Sequence, residues 1–119
     1  MTRAEALAAQ PVRNMGVEWN EADEGEIRIV VKPRKDHTAR ILRWFFPPPP
    51  ERHIILDEVG AEVWRLCDGR TSVEQIIRRM AKRYKLNRKE AETSTTEYLR
   101  RLGKKRLVGF AVQKKQSQT

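Results

Sequence analysis

The chain holds a single cysteine, Cys67, so no internal disulfide forms and a reducing compartment is the simpler expectation. Its two histidines, His37 and His53, lie in different segments, and no pair of side chains has the spacing of a zinc or other transition-metal site. The six glycines are scattered singly, which excludes a glycine-rich loop cradling phosphates. Nowhere is there a run of about 18 apolar residues, and the stretch from Met1 to Asn14 lacks the continuous apolar core of a secretory signal. These absences predict a soluble, cytoplasmic protein. Asp57 and Asp68 fall at expected helix ends, where capping and turn formation account for them better than acid-base catalysis. With no convergent set of reactive groups, the chain reads as a non-enzyme with no metal and no cofactor of its own.

What is present is charge, in the size range of one domain. The 119 residues carry 25 basic and 16 acidic side chains, a formal charge of +9. Residues 1–32 hold 4 basic and 6 acidic groups, residues 33–56 hold 5 and 2, and residues 57–119 hold 16 and 8. The positive field therefore belongs to the second half. It would attract nucleic acid, anionic lipid or an acidic peptide, or serve only as a solvated surface.

Along the chain, residues 1–15 read as a mobile arm, alanine-rich and interrupted by Pro11. From Gly16 the pattern alternates: Val17 and Trp19, an acidic turn over 20–25, then Ile27, Ile29 and Val31, which predicts a hairpin of strands near 16–20 and 26–32. Residues 33–52 form an unusual insertion, with Ile41, Leu42, Trp44, Phe45 and Phe46 interleaved by Arg40 and Arg43 and followed by four prolines, Pro47 to Pro50. Prolines without amide hydrogens act as a stiff extended spacer. The insertion is compatible with covering the domain's own core or groove, with docking on a partner or second subunit, or with lying on a membrane surface. His53 to Leu56 then reads as a third strand.

A helix follows from Asp57, with Val59, Val63, Leu66 and Cys67 on one face and Trp64 beside them. Gly69 closes it, and Ser72 with Gln75 forms a capping box for a second helix near 73–84, whose apolar line is Val73, Ile76, Ile77, Met80 and Tyr84. Asn87 and Glu90 repeat the box for a third helix, whose expected buried line is Ala91, Thr95, Tyr98, Leu99 and Leu102. Leu107 to Val112 is a candidate last strand, and 113–119 is a polar tail read as disordered. The expected class is α+β: a winged-helix-like domain over 16–112, a three-stranded antiparallel sheet followed by three helices.

The string Leu56-Asp57-x-x-Gly60-x-x-Val63-Trp64-x-Leu66-Cys67-Asp68-Gly69, then Ser72-Val73-x-x-Ile76-Ile77, resembles the core of the PqqD family of pyrroloquinoline quinone biosynthesis. The resemblance extends over roughly Val17 to Phe110 and is most specific from Leu56 to Met80. It implies a peptide chaperone that holds the leader of a ribosomally made precursor by strand addition and presents it to a modifying enzyme, typically of the radical S-adenosylmethionine type. Carried onto this chain, the receiving strand is Arg52, His53, Ile54, Ile55 and Leu56, and the opposite wall is the third helix around Tyr98, Arg101 and Lys105. Ile54, Leu56, Tyr98 and Leu102 also have a plain core reading, which is the favoured one for Leu56 and Leu102. A homodimer is compatible with the proline-stiffened insertion.

The rival from another class is a winged-helix DNA-binding protein, with Arg78, Arg79, Lys82, Arg83, Lys85, Arg88 and Lys89 on phosphates. Against it stands the exposed middle of the third helix, Glu92, Thr93, Thr96 and Glu97, which is poor in base-reading groups.

Overall fold

A computed structural model describes residues 2–32 and 52–111. The readings of the 33–52 insertion, apart from Arg52, and of the 113–119 tail fall outside the described residues. The chain forms two compact units, one of residues 15–58 and one of residues 1–14 with 59–119.

The first unit is a three-stranded antiparallel sheet of β2 (Glu18–Glu21), β3 (Ile27–Val31) and β4 (Arg52–Leu56), in the order β2-β3-β4. A one-turn 3₁₀ segment, Asp23–Gly25, joins β2 to β3, with left-handed backbone at Glu24 (φ 59°) and Gly25 (φ 78°). Ala22 N–H closes that turn on the Glu26 carbonyl at 2.8 Å. The register places Ile27 opposite Leu56 and Ile29 opposite Ile54. Because directly opposed residues share a face, the buried Ile27, Ile29 and Leu56 line one side, while Arg28, His53 and Ile55 project to the other and are exposed. The period-2 pattern alone specifies this arrangement.

The second unit contains α1 (Arg3–Ala8), β1 (Gln10–Arg13), α2 (Glu58–Leu66, whose first residue belongs to the sheet unit), α3 (Val73–Tyr84), α4 (Arg88–Lys104) and β5 (Val108–Ala111). The expected capping boxes are present. Ser72 Oγ accepts from Gln75 N–H at 3.1 Å while Gln75 Oε1 accepts from Ser72 N–H at 2.8 Å, and Asn87 and Glu90 exchange the same two bonds at 2.8 and 3.0 Å. Gly69 has the left-handed φ of +78°, but α2 ends earlier, at Leu66, and the Gly69 N–H goes to the Pro11 carbonyl rather than back to that helix, so the glycine turns the corner instead of closing the helix as expected. Ala61, Val63, Trp64, Leu66, Cys67, Val73, Ile76, Ile77, Met80, Ala91, Thr95, Leu99 and Leu102 are buried along the three helices. Tyr98 is only half-buried, so it does not belong to that line as expected.

The amino-terminal segment differs from the mobile arm expected over 1–15. Thr2 and Glu5 form a capping box at the start of α1, and β1 pairs antiparallel with β5, Pro11 opposite Phe110 and Arg13 opposite Val108. The other edge of β1 is stitched to the α2–α3 corner. Gly69 N–H donates to the Pro11 carbonyl (2.8 Å), Val73 N–H to Ala9 (2.9 Å) and Arg13 N–H to the Cys67 carbonyl (3.0 Å). The Arg13 guanidinium also donates to the carbonyls of Trp64 and Arg65 at 3.0 and 2.9 Å, satisfying the C-terminus of α2. Pro11 is tolerated because its carbonyl faces the corner, so its missing N–H would have pointed away from β5 and costs no ladder bond.

Candidate functional site

The strand assigned from the resemblance is β4, the last in the order β2-β3-β4. Of its five residues, Leu56 is buried, Ile54 half-buried, and Arg52, His53 and Ile55 exposed, with Ile55 at 57%. A large aliphatic side chain so exposed on a terminal strand is apolar surface that a strand added alongside would shield.

The three helical candidates sit in the other unit, on α4 and its cap. Tyr98 lines a depression of about 230 Å³ with Val59, Val63, Met80, Tyr84, Leu86, Ser94 and Thr95, contributed by α2, α3, α4 and the turn between the last two. The depression is mainly apolar, but the Tyr84 hydroxyl and the Thr95 Oγ1 are buried without a hydrogen-bond partner among the described residues. A buried hydroxyl left unpaired is costly, which makes this hollow receptive to a group that can bond it. Arg101 is exposed, and its Nε donates to Glu97 Oε1 at 3.1 Å. Lys105 is exposed at the C-cap of α4, its N–H bonded to the Arg101 carbonyl at 3.1 Å. The β4 candidates and the α4 candidates belong to different units: an exposed strand in one, and a helix face with an apolar hollow in the other.

Two of the seven cations invoked for the DNA-binding rival, Arg78 and Arg88, are paired with carboxylates of the same unit. Glu74 receives both terminal nitrogens of Arg88, at 2.5 and 2.7 Å, and Arg78 Nε at 2.8 Å. Those bonds, Arg88 first, hold its carboxyl down at about 2. Glu92 in turn binds Arg88 at 3.1 Å and Arg3 of α1 at 2.7 Å. Arg83 lies over the Tyr84 ring, 5.7 Å from its centroid. A phosphate track needs cations that are unspent. Sequence reasoning did not single out Arg70, which lines a separate hollow with Arg78 and Arg79; only its place beside Gly69, in a turn that faces outward, signals it.

Cys67 carries no chemistry. Its Sγ donates to the Val63 carbonyl at 3.2 Å, and burial pushes its thiol up to about 12, far from the thiolate form a nucleophile or metal ligand needs. Among the described residues, no cluster of three or more His, Cys, Asp or Glu is placed to hold a metal ion, and no helix is long and apolar enough to cross a membrane.

Residues 48–108 match the family described as Coenzyme PQQ synthesis protein D (PqqD). The chain is 33% identical over 105 residues to a protein named PqqA binding protein from Rhodopseudomonas palustris (strain BisB5), an alignment covering 88% of this chain and 95% of that relative. Among solved structures it is similar to TbiB1 in complex with the TbiA(beta) leader peptide, with a TM-score of 0.60 and 22% identity, covering 84% of this chain and 98% of that one; this likeness shows the fold. Matched by the family over half its length and by a relative over nearly all of it, the chain belongs to the PqqD family.

Proposed function

We propose that this protein is a non-catalytic chaperone for a PqqA-type precursor peptide, binding its leader as an added strand along β4 and presenting it to a modifying enzyme of the radical S-adenosylmethionine type, in the cytoplasm. The observation that carries the reading is β4 itself: a five-residue strand that, among the described residues, ends its sheet, with Ile55 57% exposed. Edge strands of this kind template extended peptides, the backbone supplying affinity and neighbouring side chains supplying selectivity. The PqqA-binding relative supports the choice of peptide, since it aligns over 88% of this chain.

Within this reading, Arg52 to Leu56 meet the leader backbone. Tyr98 borders the hollow on the helical unit that would take an apolar leader side chain, and the hydroxyls of Tyr84 and Thr95, unpaired among the described residues, favour one that also forms a hydrogen bond. Arg101 and Lys105 add attraction for acidic leader residues, weakened at Arg101 by its pairing with Glu97. The test is amide chemical-shift mapping of the full chain titrated with a synthetic PqqA-type leader. Saturable shifts concentrated on residues 52–56 support strand addition. Binding that leaves these amides unmoved overturns it.

A further inference from the structure

A second hollow, of about 290 Å³, shares no residue with those assigned to the leader and is lined by Arg70, Thr71, Gln75, Arg78 and Arg79. Three guanidinium groups converge here from the α2–α3 corner and from the first two turns of α3. The frame that presents them is rigid. Asp68 Oδ1 accepts the N–H groups of Arg70 and Thr71 at 2.8 and 2.9 Å, its Oδ2 accepts from Thr71 Oγ1 at 3.1 Å, and the Arg70 carbonyl accepts from Gln10 Nε2 at 3.3 Å. The N-terminus of α3 is not the source of the attraction, because the Ser72–Gln75 box already occupies it.

The charge balance favours an anion. Nearby acids are Asp68, engaged with its own turn, and Glu74, which is shared by Arg88 and the Nε of Arg78. Arg78 keeps its terminal nitrogens, and its side chain is 74% exposed. Arg70 and Arg79 are exposed, and no carboxylate is within ion-pair distance of either among the described residues. Guanidinium forks bind planar carboxylates with two parallel hydrogen bonds and remain charged at any physiological pH.

From this we infer that the Arg70–Arg78–Arg79 hollow is a docking site for an acidic segment of a protein partner, recognised through paired Asp or Glu carboxylates. A nucleic acid fits less well. Its phosphates would require a continuous cationic path, and Glu74 and Glu92 interrupt that path immediately beyond Arg78 by holding Arg88.

The probe is the acetylated, amidated hexapeptide (Asp-Glu)₃, titrated into the full chain while the side-chain Nε–H signals of arginine are followed by NMR, with inorganic phosphate and a 16-base-pair duplex as separate arms. The expected result is saturable movement of the Arg70, Arg78 and Arg79 signals with the peptide and affinity lowered roughly tenfold in R70A/R79A. The charge-matched variant K82A/K89A, altered elsewhere on the same half of the chain, should lose no more than about twofold. Equal losses in the two variants, unmoved arginine signals, phosphate binding as tightly as the peptide, or tighter binding of duplex would each overturn the assignment. R70A/R79A should keep native affinity for a PqqA-type leader, so failure of this site and failure of the β4 reading give different results.

Discussion

Proline placed at adjacent positions of β4 separates pairing within the sheet from pairing with a peptide. Successive N–H groups of a strand point to opposite sides, so of Ile54→Pro and Ile55→Pro one removes a donor to β3 and the other removes a donor on the outer side. β3 and β4 stay in register through five residue pairs, from Ile27–Leu56 to Val31–Arg52. Losing the inward donor strands a β3 carbonyl and is expected to cost about 1–3 kcal/mol of stability. Proline on the outer side is tolerated at edge strands and should cost less than about 1 kcal/mol. The outward variant should nevertheless lose one backbone bond to the leader, about 0.5–1.5 kcal/mol, or roughly a two- to twelvefold weaker complex. Urea unfolding identifies which variant is which, calorimetric titration with a PqqA-type leader measures the affinity, and Ile54→Ala and Ile55→Ala subtract the side-chain contribution. A stable proline variant that binds the leader as well as its alanine counterpart would refute strand addition at β4. So would equal destabilisation by both prolines.

Other consequences follow from the helical unit. Glu74 is held down to about 2 by Arg88 and Arg78, so its contribution is fully present above the ordinary carboxylate value near 4.5 and is lost as pH falls towards 2; the unfolding midpoints of Glu74→Gln and the native chain should differ at pH 7 and converge at pH 2. Cys67, pushed up to about 12 and buried, should resist thiol reagents at pH 8 until the protein is unfolded, and prompt labelling of the native chain would contradict its packing. Gly69→Ala forces a side chain into φ +78° with Val12 Cγ2 at 3.4 Å and should lower stability by about 1–2 kcal/mol in urea unfolding. Gly103→Ala has no such backbone demand: its Cβ meets the Phe110 ring edge at 3.2 Å and the Val108 carbonyl at an ordinary 3.9 Å, and Phe110 is 43% exposed and can give way, so a gain of up to about 1 kcal/mol is expected from helix propensity.

What the sequence made legible was local. The boxes at Ser72–Gln75 and Asn87–Glu90 and the alternation of Ile27 and Ile29 each depend on residues a few positions apart, and each is present as expected. The resemblance in Leu56 to Ile77 correctly identified the family. What was missed was the role of residues 2–14. The Thr2–Glu5 box was readable, but Gln10-Pro11-Val12-Arg13 shows no simple alternation, and proline weighs against a strand. Its pairing is decided by β5 at the far end of the chain and by carbonyls and N–H groups of the α2–α3 corner, backbone atoms that no side-chain pattern reports. Arg70 escaped notice for a related reason: its neighbours Arg78 and Arg79 belong to the next helix, and only the folded corner gathers them.

The pairing of β1 with β5 joins segments about a hundred residues apart in the order of synthesis. A growing chain therefore releases β1 from the ribosome long before its partner exists, and the helical unit is completed only when the final strand emerges. Until then the α2–α3 corner alone can hold the first strand, which makes that corner the provisional anchor of the nascent protein.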